Sequence, residues 1–303
     1  MDRIICVVGP TASGKTKLAV QLAKAYDGEV VSCDSMQIYK HMDIGTAKPT
    51  PEEMEGVPHH MIDCVEPGED FSVGKYVQLA DGCVQDILSR GKTAVIAGGT
   101  GLYVDSLIAG RTFAPVPQTG KREALEAQLR QEGGEAMLRK LRAVDPDAAA
   151  RLHPADEKRI IRALEVYAET GRTITQHNLE TQQIPPRYRP VWIGLDYLDR
   201  AVLYRRIDLR VDLMLQAGLA RGVSPRTTAM QAIGYKEFFD ALEGRSTLSA
   251  AADLCKQRSR NYAKRQLTWF RRNPQLCWLR MTGQEDFAQI LAAARQNIPF
   301  SAL

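Results

Sequence analysis

The feature that most constrains this chain is the segment 9–16, which reads Gly-Pro-Thr-Ala-Ser-Gly-Lys-Thr. It matches G-x-x-x-x-G-K-[ST], the pattern of a loop that wraps phosphate groups. The apolar run 4–8 precedes it and the apolar-periodic stretch 18–26 follows it, so a strand, a loop and a helix are predicted in that order. A chance match in an ordinary turn would not have both flanks of the right type. The chain is therefore predicted to bind a phosphorylated molecule here.

The residue types in this loop indicate how a phosphate would be held. Glycines let backbone N–H groups converge on an anion, and the helix that follows adds its positive N-terminal end. Lys15 places a positive charge against the phosphates, and the Thr16 hydroxyl can ligate Mg²⁺. The loop alone leaves open which phosphorylated molecule it binds and which reaction follows.

Composition is typical of a soluble globular protein with one large domain or two smaller ones, since 44% of the 303 residues are hydrophobic and 25% are charged. The six cysteines are scattered without a C-x-x-C pair, and the five histidines show no zinc-site spacing beside them, which favours a reduced protein. No apolar stretch approaches membrane-spanning length, and no signal-peptide pattern opens the chain. We expect a cytoplasmic monomer with no membrane partner.

Apolar runs alternate with helical periodicity through the first third of the chain. Strands are predicted at residues 4–8, 29–33 and 93–97, with a helix over residues 73–90. This alternation predicts an α/β fold with a parallel sheet, in which ligands bind at the carboxyl ends of the strands. Three motifs follow such ends, at residues 9–16, 34–40 and 98–103.

The middle of the chain changes character near residues 114–117, Ala-Pro-Val-Pro, and is helically periodic over residues 121–181. Pro185-Pro186 ends this pattern, and residues 191–195 resemble a strand that returns to the sheet. An all-helical domain inserted into an α/β core is therefore predicted. The predicted domains are 1–114 for the first part of the core, 115–187 for the helical insertion, and 188–303 for the rest of the core with a basic C-terminal helix.

Positive charge is concentrated between residues 253 and 272, a helically periodic stretch with one acid and three interleaved aromatic residues. Its cations are Lys256, Arg258, Arg260, Lys264, Arg265, Arg271 and Arg272. A solvated helix face and a surface that contacts a phosphate backbone both fit this pattern. A second basic cluster, Lys158-Arg159 with Arg162, lies in the predicted insertion, and the net charge of +4 is too small to decide between the two interpretations.

Two polar residues stand directly after predicted strands. Asp34 follows the second apolar run, where it could hold Mg²⁺ indirectly, take a proton from a nucleophile, or only cap a helix. Thr100 follows Gly98-Gly99, and paired glycines permit a close approach of the backbone to a ligand. The Thr100 hydroxyl could donate a hydrogen bond to that ligand or serve as an N-cap.

The motifs occur together in an order that is more specific than the phosphate loop alone. They are residues 9–16, Asp34-Ser35-Met36-Gln37-Ile38-Tyr39-Lys40, and the segments 43–49, 58–63, 98–103, 162–166, 232–235 and 264–270. In this combination the chain resembles the tRNA dimethylallyltransferases, also called tRNA isopentenyltransferases, over nearly its whole length. It departs from that family in a shorter segment after residues 214–219, and it lacks the C-terminal zinc finger of eukaryotic members, so the bacterial type is expected.

The resemblance implies a P-loop NTPase-like core, an inserted all-helical tRNA-binding domain, and a reaction. A dimethylallyl group would move from dimethylallyl diphosphate to N6 of the adenosine 3′ to the tRNA anticodon, with Mg²⁺ as cofactor and diphosphate as leaving group. Asp34 would act as the base, Thr100 would bond near the bridging oxygen, and Arg210 would reach the diphosphate. The implied diphosphate contacts are Gly9, Thr11, Ala12, Ser13, Gly14, Lys15, Thr16 and Arg206, with the metal at Thr16. The implied tRNA contacts are Ser35, Met36, Gln37, Arg122, Lys158, Arg159, Arg162 and Arg265.

Three other functions share part of this pattern. A P-loop kinase of small molecules would bind ATP, with an adenine pocket and lid arginines. An adenylate isopentenyltransferase would use a free nucleotide and would need neither the helical insertion nor the basic helix. A tRNA-binding protein with a vestigial loop would not need an intact Lys15, Thr16 and Asp34.

Overall fold

The protein, in a computed structural model, is described over residues 3–113, 119–219 and 232–299. Its contacts divide it into two compact units: Met1–Ile108 with Arg187–Leu303, and Ala109–Pro186. The predicted domain boundary between residues 114 and 115 and the shortened segment after residue 219 lie outside the described residues. In chain order the strands are β1 (Ile4–Val8), β2 (Gly28–Ser32), β3 (His59–His60), β4 (Thr93–Gly98), β5 (Val191–Tyr197) and β6 (Cys277–Met281).

The first unit is built on one sheet of six strands in the order β3-β2-β4-β1-β5-β6, and every pairing is parallel. The central strands β1 and β4 are buried along their whole length, as expected of apolar runs covered on both faces. In register, Val8 pairs with Gly98, and Ser32 pairs with Ala97. The predicted α/β fold is confirmed, and the loops after β1, β2 and β4 leave the same edge of the sheet.

The helices belong to both units. In chain order they are α1 (Lys15–Ala25), α2 (Asp43–Thr46), α3 (Pro51–Met54), α4 (Val73–Ser89), α5 (Gly101–Ala109), α6 (Lys121–Val144), α7 (Pro146–Ala149), α8 (Glu157–Thr170), α9 (Ile174–Gln183), α10 (Arg200–Gln216), α11 (Phe239–Leu242), α12 (Leu248–Phe270) and α13 (Phe287–Gln296). Side-chain caps fix several starts: the Ser72 hydroxyl accepts a hydrogen bond from Lys75 N at α4, and the Thr247 hydroxyl accepts one from Ala250 N at α12. None of the helices within the described ranges is long and apolar enough to cross a membrane.

Two apolar clusters of described residues stabilise the sheet unit. The larger packs helices onto the sheet and includes Val7, Leu18, Ile193 and Leu267. The smaller joins the segment 36–65 to α10 and α12 and includes the following buried residues: Ile38, Tyr39, Val211, Phe238 and Cys255. Because the smaller cluster fixes the segment after β2 against two helices, the side chains at the carboxyl edge of the sheet have a firm support.

The second unit is helical over its described residues, which confirms the predicted helical character of this stretch. Helices α6, α7 and α8 share an apolar cluster that includes Met137, Leu141, Ala148 and Ile160. Helix α6 is kinked at Gly133, where the backbone has a non-helical φ of 79°. The cluster contains most of the leucines, isoleucines and methionine that give this stretch its helical period.

Candidate active site

The phosphate loop joins β1 to α1 and has the unusual backbone that anion-binding loops need. Gly9 has a φ of 148°, and a Cβ there would lie 2.5 Å from the Leu195 carbonyl oxygen. Ala12 (φ 62°) and Gly14 (φ 92°) are left-handed, and Gly14 precedes α1 without any side-chain cap. The first N–H groups of α1 are therefore left for an anion.

Lys15 is held inside this loop, and its surroundings lower its pKa. Its Nζ donates a hydrogen bond to the Pro10 carbonyl oxygen at 2.6 Å. Burial, and next the positive charge of Arg210, lower the pKa of Lys15 from 10.5 to about 7, while Asp34 acts in the opposite direction. A bound diphosphate would favour the ammonium form, so the loop is suited to a highly charged ligand.

Two arginines reach the loop from one face of α10, four residues apart. Arg206 Nε donates to the Ala12 carbonyl oxygen at 3.0 Å, and Arg210 Nη1 donates to Thr11 Oγ1 at 3.3 Å. Burial lowers the pKa of Arg210, and Asp34 partly offsets this effect. Both predicted diphosphate arginines therefore lie against the loop, with Arg210 the more deeply placed.

The two carboxylate oxygens of Asp34 differ in their hydrogen bonds. Oδ1 accepts hydrogen bonds from Met36 N at 2.9 Å and Gln37 N at 3.4 Å, so it caps the turn after β2. Oδ2 has no hydrogen bond among the residues that the structure describes. Asp34 lines a cavity of about 80 Å³ with Lys15 and Arg210. One oxygen thus has the capping role, and the other is left without a hydrogen bond among the described residues.

Thr100 connects the loops that follow β2 and β4. Its Oγ1 accepts a hydrogen bond from Ser35 N at 3.1 Å and donates one to Ser35 Oγ at 3.4 Å. The Tyr262 hydroxyl lies beside Thr100, and burial, followed by the charge of Asp34, raises the pKa of Tyr262 to about 12. Asp34, Ser35, Thr100 and Tyr262 therefore meet at one point of the sheet edge.

Two glycines after β4 make room for side chains of α12. A Cβ on Gly99 would collide with the side-chain amide of Gln266, and a Cβ on Gly101 would collide with the Trp269 ring. Gly99 and Gly101 therefore admit side chains of α12, while Gly98 and Gly99 also line the small cavity beside Lys15. The predicted close approach of a ligand to the Gly98-Gly99 pair stays a prediction. Tyr262, Gln266 and Trp269 were not predicted as site residues, although their i, i+4 and i+3 spacing is the signal that places them on one helix face.

An apolar cavity of about 380 Å³ adjoins the phosphate site. Its polar lining consists of Thr11, Asp34, Ser35, Thr46, Arg210, Ser259 and Tyr262. Its apolar lining includes Met36, Ile207, Val211, Met214, Ile233 and Cys255. A small apolar group attached to a phosphate held in the loop would have room here, with a carboxylate at the junction.

The residues present suit Mg²⁺. The Thr16 hydroxyl and the Asp34 carboxylate line the same small cavity. The described part of the chain holds no cluster of three or more His, Cys, Asp or Glu side chains suited to a metal. Magnesium commonly takes one or two protein oxygens and completes its shell with phosphates and water, so this sparse oxygen set fits it.

The predicted tRNA contacts after β2 are already engaged in the chain without RNA. The Gln37 side chain accepts a hydrogen bond from Ser32 Oγ at 3.0 Å and donates to the carbonyl oxygens of Thr46 and Ala47 at 3.3 and 3.2 Å. Ser35 bonds Thr100, and Met36 lines the apolar cavity. Gln37 would have to give up bonds that hold residues 46–47 before it could contact RNA.

Helix α12 is less free for phosphate contact than its sequence suggests. Ion pairs with acids from other segments engage the following side chains: Lys256 with Asp212 at 2.6 Å, Arg258 with Glu237 at 2.9 Å, Arg260 with Asp208 at 2.5 Å, and Arg271 with Asp196 at 3.0 Å. Lys264, Arg265 and Arg272 are exposed, and Arg272 lies 4.2 Å from the centre of the Trp269 ring. The exposed cations outside these four ion pairs therefore lie at and just beyond the C-terminal end of the helix.

The helical unit separates its predicted RNA contacts into two groups. Buried Glu165 accepts hydrogen bonds from Arg122 Nη1 at 3.4 Å and Arg162 Nη1 at 2.9 Å. Lys158 and Arg159 are exposed, and Arg159 is 3.7 Å from Asp156. A cavity of about 400 Å³ in this unit is lined by Arg151, Lys158, Arg159 and Arg162 together with Ala148, Leu152, Ala163 and Ile174. Arg122 and Arg162 thus already bond the Glu165 carboxylate, whereas the exposed Lys158 and Arg159 are more accessible to an RNA phosphate.

The parallel sheet and the phosphate loop at its edge define an α/β protein of the P-loop class, with an apolar cavity beside the loop. Residues 37–273 match the family described as IPP transferase, and residues 2–65 match the one described as Isopentenyl transferase. The chain belongs to the tRNA dimethylallyltransferase family and is a prenyltransferase.

Relatives and solved structures agree over nearly the whole chain. The tRNA dimethylallyltransferase of Acetivibrio thermocellus is 46% identical over 92% of each chain, and that of Bacillus subtilis is 47% identical over 93% of this chain and 92% of its own. The tRNA isopentenylpyrophosphate transferase of Bacillus halodurans has a TM-score of 0.72 and 43% identity, and covers 98% of this chain and 95% of its own. A eukaryotic dimethylallyltransferase, described as acting on tRNA, has a TM-score of 0.82 and 30% identity over 98% of this chain and 77% of its own.

Proposed function

We propose that this chain transfers a dimethylallyl group from dimethylallyl diphosphate to N6 of the adenosine 3′ to the tRNA anticodon and releases diphosphate. The observation that carries the proposal is the junction of two cavities at Asp34. One is polar, beside Lys15 and Arg210, and the other is apolar and large enough for a small hydrocarbon group. The names of the relatives and the tRNA substrate of the eukaryotic neighbour support the same reaction.

The phosphate loop stabilises the leaving group. As the C–O bond breaks, its electron pair leaves with the diphosphate, and Lys15, Arg206, Arg210 and the first amides of α1 lie where that charge gathers. Ser13 Oγ is buried without a hydrogen-bond partner among the described residues, so it can serve a ligand oxygen. Mg²⁺ at Thr16 would neutralise part of the diphosphate charge.

The acceptor side uses Asp34 and Thr100. An exocyclic amine is a weak nucleophile, so Asp34 Oδ2 accepts the N6 proton as the new N–C bond forms. Thr100 keeps its hydroxyl at the same edge of the sheet, where it can bond the bridging oxygen of the donor. The target base must leave its stack to reach such an enclosed site, as enzymes that modify bases generally require.

The tRNA contacts lie on both units. Lys158 and Arg159 in the helical unit and Arg265 on α12 are exposed cations that suit RNA phosphates. We assign anticodon-arm binding to the predicted domain 115–187 because four cations line its cavity. The enzyme works as a monomer in the cytoplasm, where free thiols such as its six cysteines persist.

A second candidate is an adenylate isopentenyltransferase, because residues 2–65 also match the family described as Isopentenyl transferase. The chemistry at Asp34 would be the same, and only the acceptor would differ. The helical unit and the exposed cations of α12 favour a large polyanionic acceptor over a free nucleotide.

The experiment that tests the proposal presents both acceptors in parallel. The enzyme is incubated with Mg²⁺, labelled dimethylallyl diphosphate and either unmodified tRNA or AMP. Label is expected in tRNA and absent from AMP. Label in AMP but not in tRNA would establish the adenylate enzyme instead.

A further inference from the structure

Gln266 of α12 bridges the two loops on which the site is built. It is 5% exposed. Its Oε1 accepts a hydrogen bond from Thr11 N at 2.8 Å, and its Nε2 donates one to the Gly99 carbonyl oxygen at 3.0 Å. One side-chain amide therefore ties the phosphate loop after β1 to the loop after β4, and both of its ends are used.

The backbone at Gly99 and Thr11 lies in close contact with this amide. A Cβ on Gly99 would collide with Gln266 Nε2, so only glycine leaves room for the bond. On the other side, the N–H of Thr11 belongs to the phosphate loop but is committed to Gln266, and Thr11 Oγ1 accepts from Arg210 at 3.3 Å. Gln266 thus sets the position of Thr11, and through Thr11 it bears on an arginine of the phosphate site.

The same helix also carries groups on the acceptor side. Tyr262, one turn before Gln266, lines the apolar cavity, and Arg265 is an exposed cation proposed to contact tRNA. One turn later, Trp269 Nε1 donates to Asp105 Oδ2 at 2.8 Å and fixes the helix against α5. A single helix of 23 residues therefore touches the acceptor side and the leaving-group side.

We propose that Gln266 is a positioning residue that couples acceptor binding on α12 to diphosphate binding in the phosphate loop. A small shift of α12 on RNA binding is passed by the Gln266 amide to Thr11 and Gly99. Coupling between two sites is reciprocal, so RNA must tighten diphosphate binding by the same factor that diphosphate tightens RNA binding. This inference rests on the proposed tRNA acceptor.

The test measures the Kd of inorganic pyrophosphate with Mg²⁺, without and with a saturating anticodon stem-loop RNA. In the wild type, RNA is expected to lower this Kd by about 5- to 100-fold, the usual range for coupled sites. Gln266→Leu keeps a similar volume and loses both hydrogen bonds. The ratio of the pyrophosphate Kd without RNA to the Kd with RNA should therefore fall to about one, while RNA still binds. Thr268→Val is the matched control on the same helix, because among the described residues its hydroxyl bonds Lys264 O alone. The ratio of this variant should equal that of the wild type.

Gln266→Glu separates a hydrogen-bonding role of this side chain from a merely steric one. It also tests the proposal if the leucine variant does not fold. An ionised carboxylate can accept from Thr11 N but cannot donate to Gly99 O, whereas the protonated acid can do both. Coupling in this variant should therefore be weak at high pH and return as the pH falls. Full coupling in Gln266→Leu, or in Gln266→Glu at every pH, would overturn the proposal. If wild-type enzyme transfers label to tRNA but shows a ratio of one, the coupling fails while the proposed reaction stands; absence of transfer to tRNA would instead remove the reaction.

Discussion

Lys15 shows most directly how burial sets the chemistry of a single side chain. The lowered pKa of about 7 places its titration in the physiological range when the loop is empty. A bound diphosphate opposes the effect of burial and raises the pKa again. Between the free and the bound pKa, binding must therefore take up a proton, and the affinity must fall as the pH rises.

We predict that diphosphate affinity decreases by up to about tenfold per pH unit above pH 7, because the free Lys15 is then neutral. Calorimetric titration in buffers of different ionisation enthalpy measures the proton uptake. Lys15→Arg keeps a permanent charge at this position. Protons taken up by the ligand itself are the same in both proteins, so the difference in proton uptake between wild type and variant reports Lys15 alone. Equal proton uptake in the two proteins would rule out Lys15 as the group that titrates.

Asp34 offers a second test at this scale. Asp34→Asn retains an oxygen that can accept from Met36 N and Gln37 N, so the turn should persist, but the side chain can no longer take a proton. We predict a fall in kcat of about 10²-fold or more with tRNA affinity nearly unchanged, the usual scale for loss of a general base. Single-turnover transfer and RNA binding assays measure the two quantities, and near-normal turnover would remove Asp34 from the role of base.

Among the elements, α12 was predicted as a basic helix, but its ion pairs were not predicted. A helix over residues 253–272 was expected, and the helix is Leu248–Phe270. The acids that neutralise its first cations lie far away in sequence: Asp208 and Asp212 are on α10, and Glu237 is in a 3₁₀ helix over Lys236–Phe238. Periodicity within one segment cannot reveal such pairs, because they depend on which helices become neighbours.

Because Arg258 is ion-paired and Arg265 has no ion pair among the described residues, the two arginines of α12 should differ in their effects on stability and on RNA binding. Arg265→Gln is expected to weaken tRNA binding and to reduce the slope of log affinity against log salt by about one, because one phosphate contact is lost. Arg258→Gln leaves Glu237 buried without its cation, so it should lower the stability of the fold, by about 1–3 kcal/mol, with little change in that slope. Salt titrations and thermal unfolding of both variants check this, and an unchanged slope in Arg265→Gln would exclude Arg265 from the contact.

At the scale of the whole molecule, the two units should carry separable functions. Replacing Lys158 and Arg159 by alanine is predicted to raise KM for tRNA and to leave pyrophosphate binding unchanged, since both residues lie in the helical unit. Arg139→Ala removes an exposed cation of the same unit outside its cavity and is the matched control. Equal effects of the two changes on KM would indicate a general charge effect in place of a defined contact.

The sequence predicted those parts of the molecule that depend on local pattern. The strand Ile4–Val8 was placed correctly, β4 and β5 extend one and two residues past their predicted ends, and the phosphate loop stands between β1 and α1. The edge strand His59–His60 is too short for periodicity to define its bounds. Gln266 was missed as a bridge because its bonds to Thr11 and Gly99 span 255 and 167 residues. The roles of the individual site residues stay predictions until the variants above are measured.

The central claim is that the phosphate loop holds an allylic diphosphate as the leaving group for an attack by adenosine in tRNA. The most direct measurement follows diphosphate and allylated RNA together, using an anticodon stem-loop with adenosine or guanosine at the position 3′ to the anticodon. Equimolar diphosphate and allylated RNA are expected with adenosine, and neither with guanosine. Diphosphate release without RNA modification, or phosphoryl transfer from ATP in its place, would contradict the claim.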